Sequence, residues 1–231
     1  MDGILLVDKP AEWTSMDVCA HLRGVLHERH IGHTGTLDPN ATGLLVVLTG
    51  KGTKAAKYAE NDEKEYVARL RLGLRTDTQD IWGNELDRQD APGSREALEA
   101  VLPAFRGNIL QLPPMYSAIK IRGKKLYDIA RRGGDVEREP RPITIHRLEV
   151  LDRDENGDWG LLVRCSKGTY IRTLCADIGD AMGCGGCMSA LRRTKAGAFT
   201  IEEAHTLEEI RSAPEAYILP VERITGKLNH E

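Results

Sequence analysis

The spacing of hydrophobic and polar residues predicts strands and helices in turn over the first part of the chain. The stretch "GILLVDKP" is a short apolar run that stops at Pro10, which is typical of a buried strand. "TSMDVCAHLRGVLHE" then has apolar residues at helical spacing, with Thr14 or Ser15 as the residue that caps the helix. A second apolar run at residues 44–48 predicts another buried strand, and "GTKAAKYAEN" predicts a short helix.

The middle of the chain alternates between apolar and polar residues as a half-buried strand does. In "KEYVARLRLGL", side chains two residues apart fall on the same face of a strand. One face then carries Tyr66, Ala68, Leu70 and Leu72, and the other carries Arg69 and Arg71. "SREALEAVLPAF" predicts an amphipathic helix that Ser94 caps.

The rest of the chain predicts further strands beside one another, with helices between them. "LPPMYSAIKIRGKKLYDIARRGG" predicts a short strand followed by a helix that ends at paired glycines, and "ENGD" predicts a hairpin turn between "RPITIHRLEVLDRD" and "WGLLVRCSKG". "TYIRTLCADIGDAMG" predicts a helix capped by Thr169. The next segment, "GCGGCMSALRR", is expected to be a loop, and "GAFTIEEAHTLEEIRSA" predicts a strand followed by a helix. Together these elements indicate an α+β protein with a mixed, mostly antiparallel sheet flanked by helices.

The segment "IGHTGTLDPNATGLLVVLTG", residues 31–50, contains the strongest loop signal. Its glycines permit positive φ and its Asp-Pro pair favours a turn, so residues 32–43 fit neither helix nor strand. An ordinary polar surface connection is one interpretation. The other is a site loop held rigidly against the strand at 44–48, with Asp38 at its tip.

Length and composition narrow the class of protein. A chain of 231 residues with 41% hydrophobic residues can form a substantial core. It contains no apolar run near the roughly 18 residues of a membrane span, and its N-terminus lacks the features of a signal peptide, so a cytoplasmic protein that does not enter membranes is expected. The five cysteines have no framework spacing, which favours free thiols, and the single Cys184–Cys187 pair disfavours a metal site.

The charge distribution suggests a polyanionic partner, although the formal net charge is −3. Basic residues outnumber acidic ones between residues 120 and 147, and "LRRTK" adds a second basic group, whereas residues 60–99 are mainly acidic. Such a chain could bind a polyanion along one positive face, or the basic residues could be ordinary solvated side chains.

Several familiar site motifs are absent from the sequence. There is no GxGxxG after a strand, no HExxH, no phosphate-binding loop and no GxSxG. The candidate polar residues that remain are scattered along the chain: His33, Asp38, Tyr66, Lys120, Tyr170 and Arg172.

Six motifs, taken in order, resemble those of the TruB-type tRNA pseudouridine-55 synthases. The resemblance extends from about residue 3 to about residue 210. The motifs are "GHTGTLDPNATGLL", "KEYVARLRLGLRTDTQD", "PPMYSAIKIRGKKLYDIARRG", "RPITIHRL", "SKGTYIRTL" and "LRRTKAGAF". The resemblance implies the pseudouridine synthase fold.

The same resemblance implies isomerisation of uridine to pseudouridine at position 55, in the T-stem loop of tRNA. Asp38 would be the catalytic nucleophile, acting at C1′, at C6 or on the C2′ proton. No metal or other cofactor is implied, because a carboxylate close to the nucleoside can carry the reaction. The uridine would first be flipped out of the folded RNA.

The family's other site residues are transferred by resemblance alone. Arg172 would pair with Asp38 and favour its ionised form, and Tyr66 would stack on the uracil and assist proton transfer. His33 would occupy the space that the displaced base leaves. The remaining substrate-binding positions are Tyr170 and Leu191 in the pocket, and Lys9, Lys54 and Lys120 as phosphate contacts or site support.

The expected organisation is a catalytic domain at residues 1–212 and a tail at 213–231, without the family's usual C-terminal RNA-binding (PUA-like) domain. The expected partner is the T-arm of tRNA, and the expected state is a monomer. One alternative is an RNA-binding or tRNA-folding module with little isomerase activity. Another is a relative that works within a guide-RNA complex, which the bacterial-type motif spacing disfavours.

Overall fold

A computed structural model of the chain describes residues 1–59, 63–91, 93–117, 120–121, 124–125, 134 and 136–225. The strands are β1 (Gly3–Lys9), β2 (Ile31–His33), β3 (Thr42–Thr49), β4 (Lys64–Leu72), β5 (Leu74–Thr76), β6 (Glu85–Arg88), β7 (Gly107–Gln111), β8 (Lys120–Ile121), β9 (Lys124–Lys125), β10 (Arg141–Arg153), β11 (Trp159–Cys165), β12 (Gly186–Ala196) and β13 (Phe199–Thr200). The α-helices are α1 (Ser15–Leu26), α2 (Ala56–Ala59), α3 (Arg95–Val101), α4 (Ile171–Ala181), α5 (Leu207–Ser212) and α6 (Glu222–Thr225).

The chain divides into two compact units. The first comprises Met1–Val67 and Leu191–Glu231, and the second comprises Ala68–Ala190. Strands β4 and β12 each begin in one unit and end in the other. Paired strands and interspersed helices confirm the predicted α+β class with a mostly antiparallel sheet.

The first unit is organised around strand β3. Strand β1 pairs with it antiparallel from Gly3 opposite Thr49 to Lys9 opposite Gly43. Strand β2 also pairs antiparallel with β3, whereas β12 runs parallel to it where Arg193 lies opposite Gly43. Gly43 has a φ of +99°, and a Cβ atom there would overlap the Arg193 carbonyl oxygen. Only glycine therefore permits this approach of the two strands.

Both faces of the β1–β3 pair are buried, which explains why these strands read as unbroken apolar runs. One face packs against helices α1 and α5, through Leu5, Val7, Leu45, Val47, Val18, Leu22 and Ile210. The other face forms a second cluster, with Ile4, Leu6, Leu44, Val46, Leu48 and Phe199. The loop that carries Asp38 thus leads directly into a strand fixed from both sides.

Helix α1 begins as its sequence predicts. Thr14 is the N-cap, its side chain accepts a hydrogen bond from the Asp17 amide, and the Asp17 carboxylate accepts one from the Thr14 amide at 2.8 Å. The Thr14 hydroxyl also donates to the Asp17 carboxylate, at 2.6 Å, and this hydrogen bond and the one from the Thr14 amide lower the pKa of Asp17. The sequence allowed either Thr14 or Ser15 as the cap of this helix, and the structure shows that it is Thr14.

The second unit contains an antiparallel arrangement of β7, β10 and β11. Strand β10 pairs with β7 from Arg141 opposite Gln111 to Ile145 opposite Gly107, and with β11 on its other side. The predicted hairpin around "ENGD" is confirmed, since β10 and β11 are joined there. Ser94 caps helix α3, as predicted, by accepting a hydrogen bond from the Ala97 amide at 3.1 Å.

Three predictions of local structure are wrong. The loop predicted at residues 32–43 is shorter, because Gly32 and His33 pair with β3 as part of β2, and Thr42 and Gly43 already belong to β3. The segment predicted as a loop, "GCGGCMSALRR", lies mostly in β12, a strand of 11 residues. Helix α4 is capped by Tyr170 rather than by Thr169, whose hydroxyl instead donates to the Ser166 carbonyl at 2.9 Å. The helix predicted at the end of "LPPMYSAIKIRGKKLYDIARRGG" lies outside the described residues.

Across the described part of the chain, none of the helices combines the length and the apolar character that crossing a bilayer requires. The five cysteines are all buried and free, which confirms the prediction of unpaired thiols. Burial raises the pKa of Cys19 to about 11 and that of Cys187 to about 12, so neither thiol ionises near neutral pH.

Removing a side chain from the β1–β3 core is predicted to destabilise the first unit. Leu45→Ala leaves a cavity at a fully buried position, and the free energy of unfolding should fall by about 2–5 kcal/mol. Met16→Ala on α1, where the side chain is exposed, should change it by less than about 0.5 kcal/mol. Urea denaturation followed by circular dichroism measures both, and equal effects would contradict the assigned burial.

Candidate active site

Asp38 lies in the loop between β2 and β3, and this loop is fixed by hydrogen bonds along its length. The Thr34 amide donates to the Val46 carbonyl at 3.0 Å, and the Leu37 amide donates to the Ser15 hydroxyl at 2.9 Å. A turn hydrogen bond then runs from the Ala41 amide to the Asp38 carbonyl at 3.0 Å. The side chain of Leu37 is buried, which anchors the loop to the interior of the protein. These contacts support the interpretation of a rigid site loop over that of an ordinary surface connection.

Lys9 holds the residue that follows Asp38. Its side chain is fully buried at the end of β1, and its ammonium group donates to three carbonyl oxygens: Pro10 at 2.8 Å, Trp13 at 2.6 Å and Pro39 at 2.9 Å. An ammonium group has three N–H donors, so all of them are used within the protein. Of the two roles expected for Lys9, these contacts favour site support over phosphate contact.

The pKa of Lys9 reflects its buried position beside the loop. It is lowered from the ordinary value of 10.5 to about 8, mainly by burial and to a smaller extent by the charge of Arg193, while the negative charge of Asp38 acts in the opposite direction. Asp38 and Lys9 therefore attract each other within the first unit. This electrostatic partner of Asp38 was not predicted from the sequence.

The other candidate residues of the first unit are distributed over β2, β4, β12 and a short 3-10 helix. His33 ends β2, and burial, followed by the charge of Arg193, lowers its pKa. Tyr66 on β4 and Leu191 on β12 are both buried, whereas Lys54 is exposed in the 3-10 helix Gly50–Ala55. Ala68 and Leu70 are buried like Tyr66, which agrees with the predicted alternation of β4.

In the second unit, Arg172 occupies the first turn of α4 and is buried. Its guanidinium donates to the carbonyl oxygens of Thr78 and Tyr116, both at 2.9 Å. Its Nε atom also lies 3.9 Å from the carboxylate of Asp80. Arg172 thus joins α4 to two separate loops of this unit, and it faces an acidic side chain there.

Asp80 is a site residue that sequence reasoning missed, although it stands in the quoted motif "RTDTQD". Its carboxylate accepts hydrogen bonds from the Thr78 hydroxyl at 2.7 Å and from the Trp82 amide at 3.1 Å. Asp and Thr side chains that bind nearby backbone in this way are typical of tight turns. That turn signal was present in the sequence, but nothing in it placed the turn against Arg172.

Tyr170 is fixed at the start of the same helix by Gln111 of β7. The Gln111 side chain donates to the Tyr170 carbonyl at 3.0 Å and accepts from the Tyr170 amide at 2.8 Å. Gln111 is buried, so this pair of hydrogen bonds is shielded from water. Gln111 is the second positioning residue that the sequence did not reveal.

The structure thus brings Asp38 together with Lys9 in one unit, and Tyr170 together with Arg172 in the other. The predicted pairing of Asp38 with Arg172 joins residues of different units and stays a prediction. Lys120 lies in β8, but its side chain is outside the described residues. No cluster of His, Cys, Asp and Glu suited to a metal ion occurs among the residues that the structure describes.

Two family models together match most of the chain. Residues 23–171 match the model described as TruB family pseudouridylate synthase (N terminal domain). Residues 172–225 match the one described as tRNA pseudouridylate synthase B C-terminal domain.

Curated relatives named tRNA pseudouridine synthase B are similar over nearly the whole chain. The protein from Azoarcus sp. (strain BH72) is 49% identical over 94% of this chain and 72% of its own length. The one from Alkaliphilus oremlandii is 44% identical over 96% of this chain and 75% of its own. The one from Opitutus terrae is 46% identical, and the match covers 96% of this chain and 93% of that relative.

Solved structures with the same fold come from protein and RNA complexes. A chain from the crystal structure of a Cbf5-Nop10-Gar1 complex matches with a TM-score of 0.76 and 31% identity. A chain from an H/ACA RNP bound to a substrate RNA containing 2'-deoxyuridine matches with a TM-score of 0.72 and 28% identity. Both matches cover 96% of this chain, which spans about three fifths of the matched chains, 61% and 60% respectively.

The lowered pKa of Lys9 predicts a pH-dependent contribution to stability. Below pH 8 the side chain is protonated whether folded or unfolded, and the unfavourable burial of its charge is fully present. Between pH 8 and 10.5 the folded protein releases this proton before the unfolded chain does, so raising the pH favours folding. The free energy of unfolding of the wild type should therefore rise relative to that of Lys9→Met, by up to about 3 kcal/mol.

Urea denaturation of both proteins at a series of pH values measures this difference. The difference isolates Lys9 because all other titrating groups are shared. A difference that stays constant from pH 7 to pH 10.5 would contradict the assignment.

Proposed function

Because the chain belongs to the TruB family of pseudouridylate synthases, we propose that it isomerises uridine to pseudouridine in tRNA, at position 55 of the T-stem loop. The observation that carries this proposal is the placement of Asp38. Its loop is hydrogen-bonded to the neighbouring strands and helix, and buried Lys9 fixes the following residue. A carboxylate held in this way is positioned before substrate arrives, as a catalytic group must be.

The reaction requires a change of bonds without any change of oxidation state. The N1–C1′ glycosidic bond breaks, the uracil turns while it stays bound, and C5 forms a new bond to C1′. C5 then loses its proton and N1 gains one, so atoms and charge balance. Asp38 is the proposed nucleophile, at C1′, at C6 or on the C2′ proton. The proposal requires no cofactor.

Arg172 is proposed to supply the positive charge opposite Asp38 when substrate is bound. Two backbone carbonyls and the nearby Asp80 carboxylate hold its guanidinium, so its orientation is set by the protein. The guanidinium presents its donors in a fixed planar arrangement, whereas an ammonium group carries all its donors on one nitrogen at the end of a flexible stem, so it does not hold the same orientation. Asp80 is proposed to limit how far the guanidinium can turn.

The remaining candidates are proposed to bind the flipped nucleotide and the RNA around it. His33 would fill the space that the base leaves, and Tyr66 would stack on the uracil. Tyr170 and Leu191 would line the pocket. Lys54, which is exposed, suits a contact to phosphate, and the same role is proposed for Lys120.

We further propose that residues 1–212 form the catalytic domain, with 213–231 as a tail. The protein is proposed to act as a monomer on the T-arm of tRNA in the cytoplasm, where tRNA is found. RNA should be recognised mainly by the shape of the folded loop and by its splayed bases.

Asp38→Asn is predicted to abolish pseudouridine formation while RNA binding is largely kept. The amide has nearly the same shape as the carboxylate but is a poor nucleophile. Tritium release from a T-arm RNA labelled at uridine C5 measures turnover, and filter binding measures affinity. Absence of product with excess wild-type protein would defeat the proposed function. Turnover by Asp38→Asn would defeat the role of Asp38 and favour the RNA-binding or tRNA-folding alternative.

Arg172→Lys is predicted to lower the single-turnover rate by about 100-fold, with a smaller effect on RNA affinity. The matched control is Arg95→Lys in the same unit, because Arg95 also donates to two backbone carbonyls, those of Val150 and Leu151. Equal losses for both variants would mean that Arg172 serves only to stabilise the fold.

A further inference from the structure

Arg193 is a charged residue buried in the first unit, on β12. Only 1% of Arg193 is exposed to solvent. Most arginines, in contrast, keep their charged group in water. The Nε atom of Arg193 donates to the Leu44 carbonyl at 2.7 Å, and its Nη2 atom donates to the Gly35 carbonyl at 3.2 Å. These two acceptors lie on either side of the Asp38 loop in sequence, so one guanidinium joins the beginning of the loop to the strand that follows it.

The backbone around Arg193 is arranged to receive this side chain. Gly35 has a φ of +97°, a conformation that residues with a side chain rarely adopt. A Cβ atom at Gly35 would lie 3.7 Å from the Nη1 atom of Arg193, so the loop passes directly over the guanidinium. Parallel pairing of β12 with β3 at Gly43 brings the Arg193 backbone close as well.

The charge of Arg193 acts on the groups around the loop. It lowers the pKa of both Lys9 and His33, after the larger effect of burial. Asp38 is the one acidic residue in the loop sequence "TGTLDPNA", residues 34–41. Two buried cations, Lys9 and Arg193, therefore support a loop that presents a single carboxylate.

We propose that Arg193 is a positioning residue for the isomerisation, which fixes the Asp38 loop in the conformation from which the carboxylate acts. The inference rests on the proposed function for its catalytic part and on the contacts of Gly35 and Leu44 for its structural part. Arg193 does not itself touch the substrate. A lysine at this position would keep the charge, but its donors all lie on one nitrogen, which does not reproduce the separate positions of the guanidinium Nε and Nη2 atoms.

Hydrogen exchange tests the structural part without reference to activity. In the wild type, the amides of Thr34, Leu37 and Ala41 are hydrogen-bonded and should be protected. In Arg193→Lys, exchange in a peptide covering residues 34–43 should accelerate by about 10-fold or more, while a peptide covering α4 in the second unit stays unchanged. Unchanged exchange in the loop peptide would overturn the inference.

Kinetics test the catalytic part. The single-turnover rate of Arg193→Lys should fall by about 10- to 100-fold, because small displacements of a catalytic group have effects of this size. The dissociation constant for the RNA should stay within about 3-fold of the wild-type value, since Arg193 is buried away from solvent. A rate within about 2-fold of the wild type, or a loss confined to affinity, would overturn the positioning role.

Two controls keep these outcomes distinct. Arg223→Gln removes another arginine ion pair of the same unit, with Glu203 at 2.6 Å, and should leave both exchange and rate unchanged. Asp38→Asn should leave the loop protected while turnover is lost.

If the wild type itself makes no pseudouridine, the proposed function fails, and hydrogen exchange still decides whether Arg193 holds the loop. Arg193→Gln repeats both measurements, so that the result does not depend on one variant.

Discussion

The position of Asp38 depends on hydrogen bonds that buried cations donate to the backbone beside it. Pro39, the next residue, accepts from the Lys9 ammonium, and the Lys9 side chain is itself enclosed at the end of β1. Burying a positive charge is unfavourable, and hydrogen bonds to its donors offset part of that cost, so the Pro39 carbonyl and the cation stabilise each other. A displacement of the loop would break this hydrogen bond and leave the Pro39 carbonyl and one N–H donor of the Lys9 ammonium without their partners.

The second unit also contains a buried cation that donates hydrogen bonds to backbone carbonyls. The Arg172 guanidinium donates to carbonyls from two different loops, as the Arg193 guanidinium does to carbonyls around the Asp38 loop. In each case a charged side chain is held by backbone rather than by an exposed acidic partner. Backbone acceptors move less than side chains, so this arrangement orients charge with little reorganisation when substrate binds. Surface ion pairs such as Arg88–Glu85 cannot provide the same precision, because solvent screens them and their side chains move.

The sequence predicted the parts of the fold that depend on local pattern. The apolar runs of β1 and β3, the alternation of β4 and the caps Thr14 and Ser94 all depend on residues close together in the chain. Strand β12 escaped prediction because two of its buried residues, Ser189 and Arg193, are polar and break the expected alternation. Each is satisfied by a distant partner, such as the Asp158 carboxylate for the Ser189 hydroxyl, and pattern alone does not reveal such partners.

The same distinction between local pattern and distant partners applies to the residues of the candidate site. Asp38 could be singled out because Gly, Asp and Pro identify its loop, and the motif resemblance supplied its role. Asp80 and Gln111 could not, because their importance arises only where α4 meets the loop at Thr78 and the strand β7. Residues that react are thus more visible in a sequence than residues that position them. A reacting group must be of one chemical type, whereas any donor or acceptor at the right distance can hold it, and that distance is set by the fold.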